Sequence, residues 1–439
     1  MKIAVIGAGI AGVASAHELS ADGHQVCVFE RRGGVAAEAS FGTNGILSPA
    51  LRPPWPMRAT PRLPWLRMAS AQGAWWWRAR RAQSTRHDDA FWTLARQSIE
   101  RLAHWRSQWP SDYERTEGVL HVWRDTAAFD AALGAAERLR QAGVRAIALD
   151  AEHCRHHEPA LPAATPLAGG LLLPQAEVGN CRLAAHLWRD AAERLGAEFR
   201  FATTVRAIDV AHGGVRLQFE QLALTTGFAA RDGDGDGAER GAPQALLRQR
   251  SHAAARYLAP VGDEPFDAVV LCAGTEAAAL LAPLGLRLPL QQVTGRSLTL
   301  PLRSPERGPR SAVVDVQRDL TLARLGTRVR VSGGAEFGAA RGQPSARHLE
   351  ALYRALDDWA PGCAHLAHPQ AWHGARACLP EGLPMIGGAP GQPRLWLNIG
   401  HGDGGWTLAA GAAQRLADAM AGRTAAAEDD PFAPLAARF

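Results

Sequence analysis

The chain has 439 residues, of which 47% are hydrophobic, and its formal net charge at pH 7 is +5. A chain of this length can bury the cores of two or three domains. The charge is modest and comes almost entirely from arginine, with Lys2 as the only lysine, so we expect no nucleic-acid partner.

Neither a secretory leader nor a membrane span is evident in the sequence. No basic, apolar leader precedes the first predicted strand, and no apolar run approaches the ~20 residues that cross a bilayer. We therefore expect a cytoplasmic location, with peripheral contact at the inner face of a membrane as an open alternative. The six cysteines are scattered, without a CxxC pair or a cysteine–histidine cluster, which predicts reduced thiols and no metal site.

The first 30 residues predict a strand, a glycine-rich turn, a helix and a second strand that ends at an acid. The parts are Ile3–Ile6, the glycines Gly7, Gly9 and Gly12, the alternating run Gln25–Phe29, and Glu30. This order and spacing are typical of a dinucleotide-binding unit; the alternative is a glycine-rich turn with no ligand. Gly7 permits the tight turn, Gly9 lets the backbone approach a diphosphate, and Gly12 lets the helix pack on the strand. The diphosphate would lie on the helix N-terminus, and Glu30 would accept hydrogen bonds from a ribose diol.

The next segments indicate where the chain leaves the first domain. Proline crowds residues 49–64, which excludes regular structure there. Three tryptophans, at 75–77, are followed by Arg78, Arg80 and Arg81; we favour a helix that buries the tryptophans over an interfacial patch. Periodicity predicts helices at 89–109, 126–142 and Leu183–Leu195, then strands at Glu198–Phe201 and Val205–Val210.

Residues 226–256 are rich in glycine, aspartate, arginine and alanine, which predicts a flexible insertion. Within them, the run Asp232–Gly237 imitates the start of a calcium loop. The glutamate that would complete such a loop is missing, since Pro243 stands in its place, so we expect no calcium site.

The remainder of the chain predicts strands, a helix and a second glycine-rich turn. An apolar strand within Phe266–Gly274 precedes a helix, and alternating patterns predict antiparallel strands at 296–302, 312–316, 320–325 and 328–332. A helix at 345–359 follows. The last unit is a strand at Leu395–Ile399, a turn at Gly400–Trp406 and a helix to about Met420.

The first and last glycine turns lie almost 400 residues apart, and we expect both in one nucleotide domain. The predicted fold class is α/β: a Rossmann-like nucleotide-binding domain with an inserted α+β substrate domain built on an antiparallel sheet. The nucleotide domain would take residues 1–50, 151–290 and 370–424. The substrate domain would take 51–150 and 291–369.

Beyond the first unit, a series of short motifs is spread over nearly the whole chain. They are Glu38–Pro49, Glu158–Leu161, Gly169–Pro174, Gly179–Cys181, Val293–Thr299, Val331–Glu336, Trp372–Arg376, Leu383–Gly387 and Leu395–Thr407. In these motifs and their order, the chain resembles the flavoprotein oxidoreductases of the D-amino-acid-oxidase superfamily, and most closely the bacterial D-amino acid dehydrogenase (small subunit) group. It departs from that group at Ala377, at Leu379–Glu381 and in the shifted position of Asn44.

The resemblance implies FAD as cofactor and hydride transfer from a substrate Cα to flavin N5. Val205 matches the position whose backbone holds adenine, and Ala273-Gly274 matches the stretch beside the diphosphate and ribose. Cys378 stands where dehydrogenases have methionine, so we expect non-covalent FAD. The residues expected to contact the cofactor are Gly7, Gly9, Ile10, Ala11, Gly12, Glu30, Arg31, Ser40, Thr43, Asn44, Gly45, Val205, Ala273, Gly274, Gly400, Gly402, Asp403, Gly404, Gly405, Trp406 and Thr407.

The resemblance also implies two residues at the reacting centre. Arg376 matches the arginine that holds the substrate carboxylate, a task suited to a planar, bidentate guanidinium. His401 lies in a turn that passes the flavin pyrimidine ring, where a role in the flavin loop is favoured over that of a base. Backbone N–H groups of Asp403–Thr407 would stabilise negative charge near flavin N1 and O2.

These features predict an FAD-dependent dehydrogenase of a D-amino acid or of a cyclic or secondary amino acid, with a quinone or another electron acceptor. One alternative is a glycine- or sarcosine-type oxidase that uses oxygen. Another is the flavin domain of a tRNA-modifying enzyme, and a third is a non-catalytic flavoprotein subunit. The low charge density disfavours the tRNA alternative.

Overall fold

The computed structural model describes residues 1–49, 71–81, 85–109, 111–211, 213–221, 262–338, 346–424 and 429–434. The predicted insertion at 226–256, with its calcium-like run, and nearly all of the proline-rich segment at 49–64 lie outside these residues.

The strands, numbered in chain order, are β1 (Lys2–Ile6), β2 (Gln25–Phe29), β3 (Ile46–Leu47), β4 (Thr116–Trp123), β5 (Ile147–Asp150), β6 (Gly169–Val178), β7 (Glu198–Arg200), β8 (Thr203–Ala211), β9 (Gly214–Gln221), β10 (Gly262–Phe266), β11 (Ala268–Leu271), β12 (Gln291–Pro301), β13 (Ala312–Asp315), β14 (Leu320–Leu325), β15 (Arg328–Phe337), β16 (Gln370–Cys378), β17 (Met385–Ala389) and β18 (Gln392–Ile399). The α-helices are α1 (Ile10–Ala21), α2 (Ala71–Arg81), α3 (Thr85–Gln108), α4 (Thr126–Gln141), α5 (Ala151–His157), α6 (Cys181–Arg194), α7 (Ala277–Leu281), α8 (Ala346–Trp359) and α9 (Gly405–Met420).

A six-stranded sheet in the order β17-β18-β11-β1-β2-β7 forms the nucleotide half of the fold. Its strands are parallel except for β17, which runs antiparallel to β18. Ile3, Ala4 and Val5 in β1 are fully buried, as expected for a central strand covered on both faces. The α/β unit predicted from the first 30 residues is confirmed.

The carboxyl ends of the parallel strands meet at one edge of this sheet. There β1 leads into Gly7, β2 into Glu30, β11 into Cys272–Gly274, and β18 into Gly400. This edge is where ligands bind in open parallel sheets, so the topology gathers the predicted contacts at one place.

A nine-stranded sheet forms the second half of the fold. Its order is β16-β12-β15-β14-β13-β4-β6-β3, with β5 also paired to β6. The pairings are antiparallel except for β13 and β4, which run parallel. The predicted antiparallel sheet is therefore present, with one parallel pair within it.

Three strands from segments predicted for the nucleotide domain belong to this second sheet instead. β3 lies within 1–50 but pairs with β6. β6 lies within 151–290 but also pairs with β4 and β5, and β16 lies within 370–424 but pairs along its length with β12. Strand pairing depends on long-range contacts, which the order of motifs along a chain does not report. The division into two domains itself stays a prediction.

A smaller antiparallel sheet, in the order β10-β9-β8, adjoins the nucleotide half. Val215, Leu217, Phe219 and Phe266 of this sheet share one apolar cluster with Phe29 of β2. The ring centroid of Phe29 lies 5.1 Å from that of Phe219 and 5.8 Å from that of Phe266, so aromatic packing joins the two sheets.

Helices cover the six-stranded sheet, with α1 packed against α6 and α9, and α9 against α3. Their shared core contains a run of indole rings: Trp105 lies 4.9 Å from Trp188, which lies 5.5 Å from Trp406 between ring centroids. α6 begins at Cys181 and is preceded by the N-cap Asn180, whose side chain accepts a hydrogen bond from the Leu183 N–H. Such a cap satisfies a backbone donor that the first helical turn leaves unpaired.

Candidate functional site

Gly7 and Gly12 create a close approach between β1, α1 and β11. Gly7 has φ of +101°, and a Cβ there would lie 2.6 Å from the Cys272 carbonyl oxygen. A Cβ at Gly12 would lie 1.9 Å from the Gly7 carbonyl oxygen. Both contacts are with backbone atoms, which cannot move aside as a flexible side chain can. These two positions therefore need glycine for packing alone.

The N-terminus of α1 fits an anionic group. Gly9 is the N-cap and has no side chain that could cap the helix, and the first turn of α1 has no acidic residue. The Ile10 N–H donates to Ser40 Oγ at 3.0 Å, which draws the loop around residue 40 over the same end. The helix dipole and remaining N–H groups thus stay available to a diphosphate, which is what the FAD prediction requires.

Glu30 is 9% exposed at the end of β2. Its carboxylate accepts hydrogen bonds from the N–H groups of Ala8 and Arg32, each at 2.7 Å. Burial raises its pKa, and these two donors act in the opposite direction. Since each carboxylate oxygen has further lone-pair capacity, the acid can still accept from a ribose, and the predicted role stays a prediction.

Arg31, at the edge of the predicted nucleotide site, forms ion pairs that the sequence did not indicate. Arg31 lies 3.3 Å from Glu276 and 3.2 Å from Glu38, measured between charged atoms. Glu276 lies two residues after Gly274, which has φ of +53° and open space where a Cβ would be.

Val205, the residue predicted to hold adenine, is buried in β8 and lies next to a β-bulge.

The loop 43–45 and the C-terminal turn contact each other directly. Trp406 Nε1 donates to the Gly45 carbonyl at 3.2 Å, and Thr407 Oγ1 donates to the Ile46 carbonyl at 3.2 Å. Asn44 accepts from the Ile46 N–H at 3.1 Å. Because the side chains of Trp406 and Thr407 are buried in these contacts, only their backbone atoms remain for a ligand.

Arg330 holds the preceding part of this loop, a role that the sequence did not indicate. Its guanidinium donates to the carbonyls of Phe41 and Thr43 at 3.0 and 3.1 Å, and to Thr299 Oγ1 at 2.9 Å. Burial and the nearby Arg328 lower its pKa to about 10. One arginine among many in this chain has no local signal that would distinguish it.

Arg376 projects from β16 into a cleft where the two large sheets meet. The cleft holds about 820 Å³ of space, part of it open to solvent. Arg376 forms an ion pair with Asp403 of the C-terminal turn. A Cβ at Gly295, in the neighbouring strand β12, would lie 2.0 Å from Arg376 Nη2, so this glycine makes room for the guanidinium.

The cleft contains other polar side chains that the sequence did not single out. His121 is buried, and burial lowers its pKa to about 4. Arg296 is paired with Glu336 at 2.5 Å. Ser332 Oγ is buried without a hydrogen-bond partner among the described residues. Buried polar groups are normally hydrogen-bonded, so this hydroxyl is suited to bind a polar ligand. Asp319 and Thr321 also line the cleft, together with Asn44, which was predicted to contact the cofactor.

His401 lies against the end of β16, where an isolated β-bridge pairs it with Cys378. Burial lowers its pKa to about 4, and its Nε2 has no hydrogen-bond partner within the part of the chain that the structure describes. The imidazole is therefore neutral near pH 7 and has one nitrogen free for a ligand. A group with this pKa is a weak base at that pH.

In the described ranges, no helix is long and apolar enough to span a membrane, and no three His, Cys, Asp or Glu side chains are grouped to hold a metal. Trp75 in α2 is buried against Phe337, with ring centroids 5.3 Å apart, as predicted for a core-facing tryptophan. Trp77 is 52% exposed, and the Arg81 guanidinium stacks on it at 3.4 Å.

Comparison with known proteins agrees with the predicted FAD-dependent oxidoreductase. The family model described as "FAD dependent oxidoreductase" matches residues 2–419. A D-amino acid dehydrogenase of Cereibacter sphaeroides is 35% identical, with 96% of this chain and 92% of that protein aligned. A D-amino acid dehydrogenase of Methylobacterium radiotolerans is 32% identical, with 99% of each chain aligned. Among solved structures, glycine oxidase from Geobacillus kaustophilus shares the fold with a TM-score of 0.75 and 20% identity, over 99% of this chain and 98% of that one.

Proposed function

The chain belongs to the FAD-dependent oxidoreductase family, and from that premise we propose that it oxidises a D-amino acid, or a cyclic or secondary amino acid, at the α carbon. Its cofactor is FAD. The named relatives support a D-amino acid as donor, since those proteins are called D-amino acid dehydrogenases.

The observation that carries the proposal is the ion pair between Arg376 and Asp403. The guanidinium is already bound to a carboxylate within the cleft, at the place where the family resemblance puts a substrate carboxylate. An incoming α-carboxylate would replace Asp403 on the same planar, two-pronged donor. Asp403 is largely exposed, so its release into water costs little.

The other residues of the site would bind the cofactor and stabilise negative charge on it. When bound, FAD accepts a hydride from the substrate Cα. The α1 N-terminus and Glu30 would bind its diphosphate and ribose, and the Arg330-supported loop would bound the flavin end. The N-terminus of α9 would favour negative charge beside the turn at Gly400–Trp406.

We propose a quinone or another carrier as the electron acceptor, and a cytoplasmic location with contact to a membrane surface through the exposed Trp77 and Arg81. A second candidate is a glycine- or sarcosine-type oxidase, because the chain shares its fold with glycine oxidase. Only the acceptor and the substrate differ between these two candidates.

The test is anaerobic bleaching of the flavin in the purified full-length protein. We expect reduction by D-amino acids, and far slower reduction by their L-enantiomers. Prolines and N-methylglycines complete the panel. Reoxidation by a soluble quinone, compared with reoxidation by oxygen, separates a dehydrogenase from an oxidase. A flavin that no amino acid bleaches would contradict the proposal.

The same preparation tests the mode of FAD attachment. Acid or heat should release the flavin, because the prediction is non-covalent binding. Colour that stays with the denatured chain would show a covalent bond instead, for which Cys378 would be the first residue to examine.

A further inference from the structure

A row of mostly polar side chains crosses the middle of the nine-stranded sheet. In the order of the adjacent strands β12, β15, β14, β13 and β4, this polar row consists of Ser297, Ser332, Thr321, Val314 and His121. Residues that are paired in this way project from the same face of a sheet. All of them except Ser297 line the cleft that contains Arg376, so the polar row forms one wall of the cleft.

The next row along the same strands is apolar and faces the other side of the sheet. It consists of Leu298, Val331, Leu322, Val313 and Leu120, which are at most 2% exposed and share an apolar cluster with side chains of α8. The polar row is nearly as deeply buried, with exposures between 1% and 8%. Its hydroxyl groups are therefore shielded from solvent and need hydrogen-bond partners within the protein or from a ligand.

The hydroxyl of Ser332 has no such partner within the described ranges. Ser332 is 5% exposed, and its Oγ forms no hydrogen bond there. The Oγ of Ser297, opposite it on β12, is likewise without a partner in this part of the chain. A hydroxyl both donates and accepts hydrogen bonds, so a polar ligand group beside Ser332 would remove the free-energy cost of the unpaired oxygen.

The charged side chains that line the cleft balance one another. Arg296 and Arg376 contribute two positive charges, and two negative charges come from Asp319 and Asp403. His121 is neutral near pH 7, because burial lowers its pKa to about 4. An ionised substrate side chain would lose its hydration here without an excess of opposite charge to compensate for it. The cleft therefore favours a substrate side chain that is neutral.

We propose that Ser332 selects amino acids whose side chain is neutral and forms hydrogen bonds, as a hydroxyl group does. This inference rests on the proposed function, in which Arg376 holds the α-carboxylate. An apolar side chain would leave the Ser332 hydroxyl unpaired in the complex, whereas a substrate hydroxyl would pair with it. Ser332 is thus a specificity-determining residue.

The experiment compares substrates in which a hydroxyl replaces a methyl group, using the full-length holoprotein. D-serine is paired with D-2-aminobutyrate and D-threonine with D-valine, in anaerobic rapid-mixing measurements of the second-order rate constant of flavin reduction. We expect the wild-type protein to prefer the hydroxylated member of each pair at least about fivefold. Ser332→Ala should lower the rate constants for D-serine and D-threonine by roughly 5- to 150-fold and change those for the apolar partners less than about threefold.

Two further variants serve as controls. Ser332→Cys keeps a side chain of similar shape but offers only a weak hydrogen-bonding group, so it should lose the preference as Ser332→Ala does. Ser98→Ala removes a hydroxyl that is also fully buried and without a partner among the described residues, but it lies in α3 and does not line the cleft. This variant should change neither member of a pair. Flavin content and circular dichroism, measured for each variant, identify any that fail to fold.

The outcomes separate this inference from the proposed function. If D-amino acids bleach the flavin but the wild-type protein shows no preference for the hydroxylated ones, the role of Ser332 is wrong and the proposed function stands. Equal losses for both members of a pair in Ser332→Ala would assign the hydroxyl to a group that all amino acids share, which also overturns the inference. Loss of FAD from a folded Ser332→Ala protein would assign it to the cofactor, with the same consequence. If no D-amino acid bleaches the flavin, both are wrong.

Discussion

Arg376 and Gly295 form one unit, because the guanidinium fills the space that a Cβ on Gly295 would take. β12 and β16 are adjacent strands, and the two residues are diagonal neighbours across them, since Gly295 pairs with Gly374 and Arg376 pairs with Val293. The motifs indicated both segments, but only the packing of the two strands shows that the absence of a Cβ at Gly295 makes room for the Arg376 guanidinium.

Removing the guanidinium tests its assignment to the substrate carboxylate. Loss of a buried charge-assisted pair costs on the order of 2–5 kcal/mol. Arg376→Ala should therefore lower kcat/KM for D-amino acids by roughly 30-fold to several thousand-fold. Arg376→Lys should recover only part, since an ammonium cannot make the two-pronged contact. Steady-state kinetics with flavin content as control measures this; near-normal turnover in Arg376→Ala would end the assignment.

Gly295→Ala should weaken substrate binding without removing any charge. The added methyl group would displace the guanidinium, at a cost of about 1–3 kcal/mol, so KM should rise roughly 5- to 150-fold. The matched control is Gly134→Ala in α4, where nothing lies within 4 Å of the added Cβ. Unchanged KM in Gly295→Ala, with full flavin content, would contradict the proposed link between the two residues.

At the scale of elements, the strand–turn–helix at the N-terminus is limited by backbone contact. α1 can lie close to β1 only because Gly12 has no Cβ. The order of strand, glycines, helix and acid made this unit predictable, and β2 and β14 were predicted with the same bounds that the structure gives. The sheet to which β6 belongs was not predictable, because its strand partners β3 and β4 are distant in sequence.

Gly12→Ala should therefore lose FAD as well as stability. A Cβ at 1.9 Å from a backbone oxygen forces α1 away from β1, and overpacking of this kind costs about 1–3 kcal/mol or more. Flavin content and Tm of the purified variant measure both effects. Gly134→Ala is again the control, since alanine in an exposed helix stabilises by about 0.5–1 kcal/mol. A yellow, wild-type-like Gly12→Ala protein would show that the helix has room to shift.

At the scale of the whole molecule, two deeply buried histidines make stability depend on pH. Burial lowers the pKa of both His17 and His121 to about 4, and Arg101 adds to the effect at His17. An unfolded histidine has a pKa of about 6.5, so the unfolded chain binds more protons between these values. The stabilisation is complete above about pH 6.5 and is lost as the pH falls toward 4, by up to about 3 kcal/mol for each histidine.

We expect Tm to fall over this range, and His17→Asn to have a shallower dependence than the wild-type protein. The control is His104→Asn, because His104 is exposed. Thermal unfolding in buffers between pH 4 and 8 measures the slopes. Parallel curves for the wild-type protein and His17→Asn would contradict the assignment.

The sequence by itself determined the class of the protein. The glycine spacing, the acid at Glu30 and the ordered motifs predicted an FAD-binding α/β fold, because such turns need glycine for reasons that hold in any chain. Local periodicity likewise predicted most helices and strands, since it depends on near neighbours.

Only the tertiary structure decided which side chains share the cleft. Asp319, His121 and Arg296 come from different strands of the nine-stranded sheet or its turns, and no local pattern distinguishes them. The role of each depends on partners that lie far away in sequence: Asp403 forms an ion pair with Arg376, Glu336 forms one with Arg296, and the charge of Arg376 acts on Asp319. Charge pairing and desolvation are properties of the assembled site, because both depend on distances that exist only once the sheets have met.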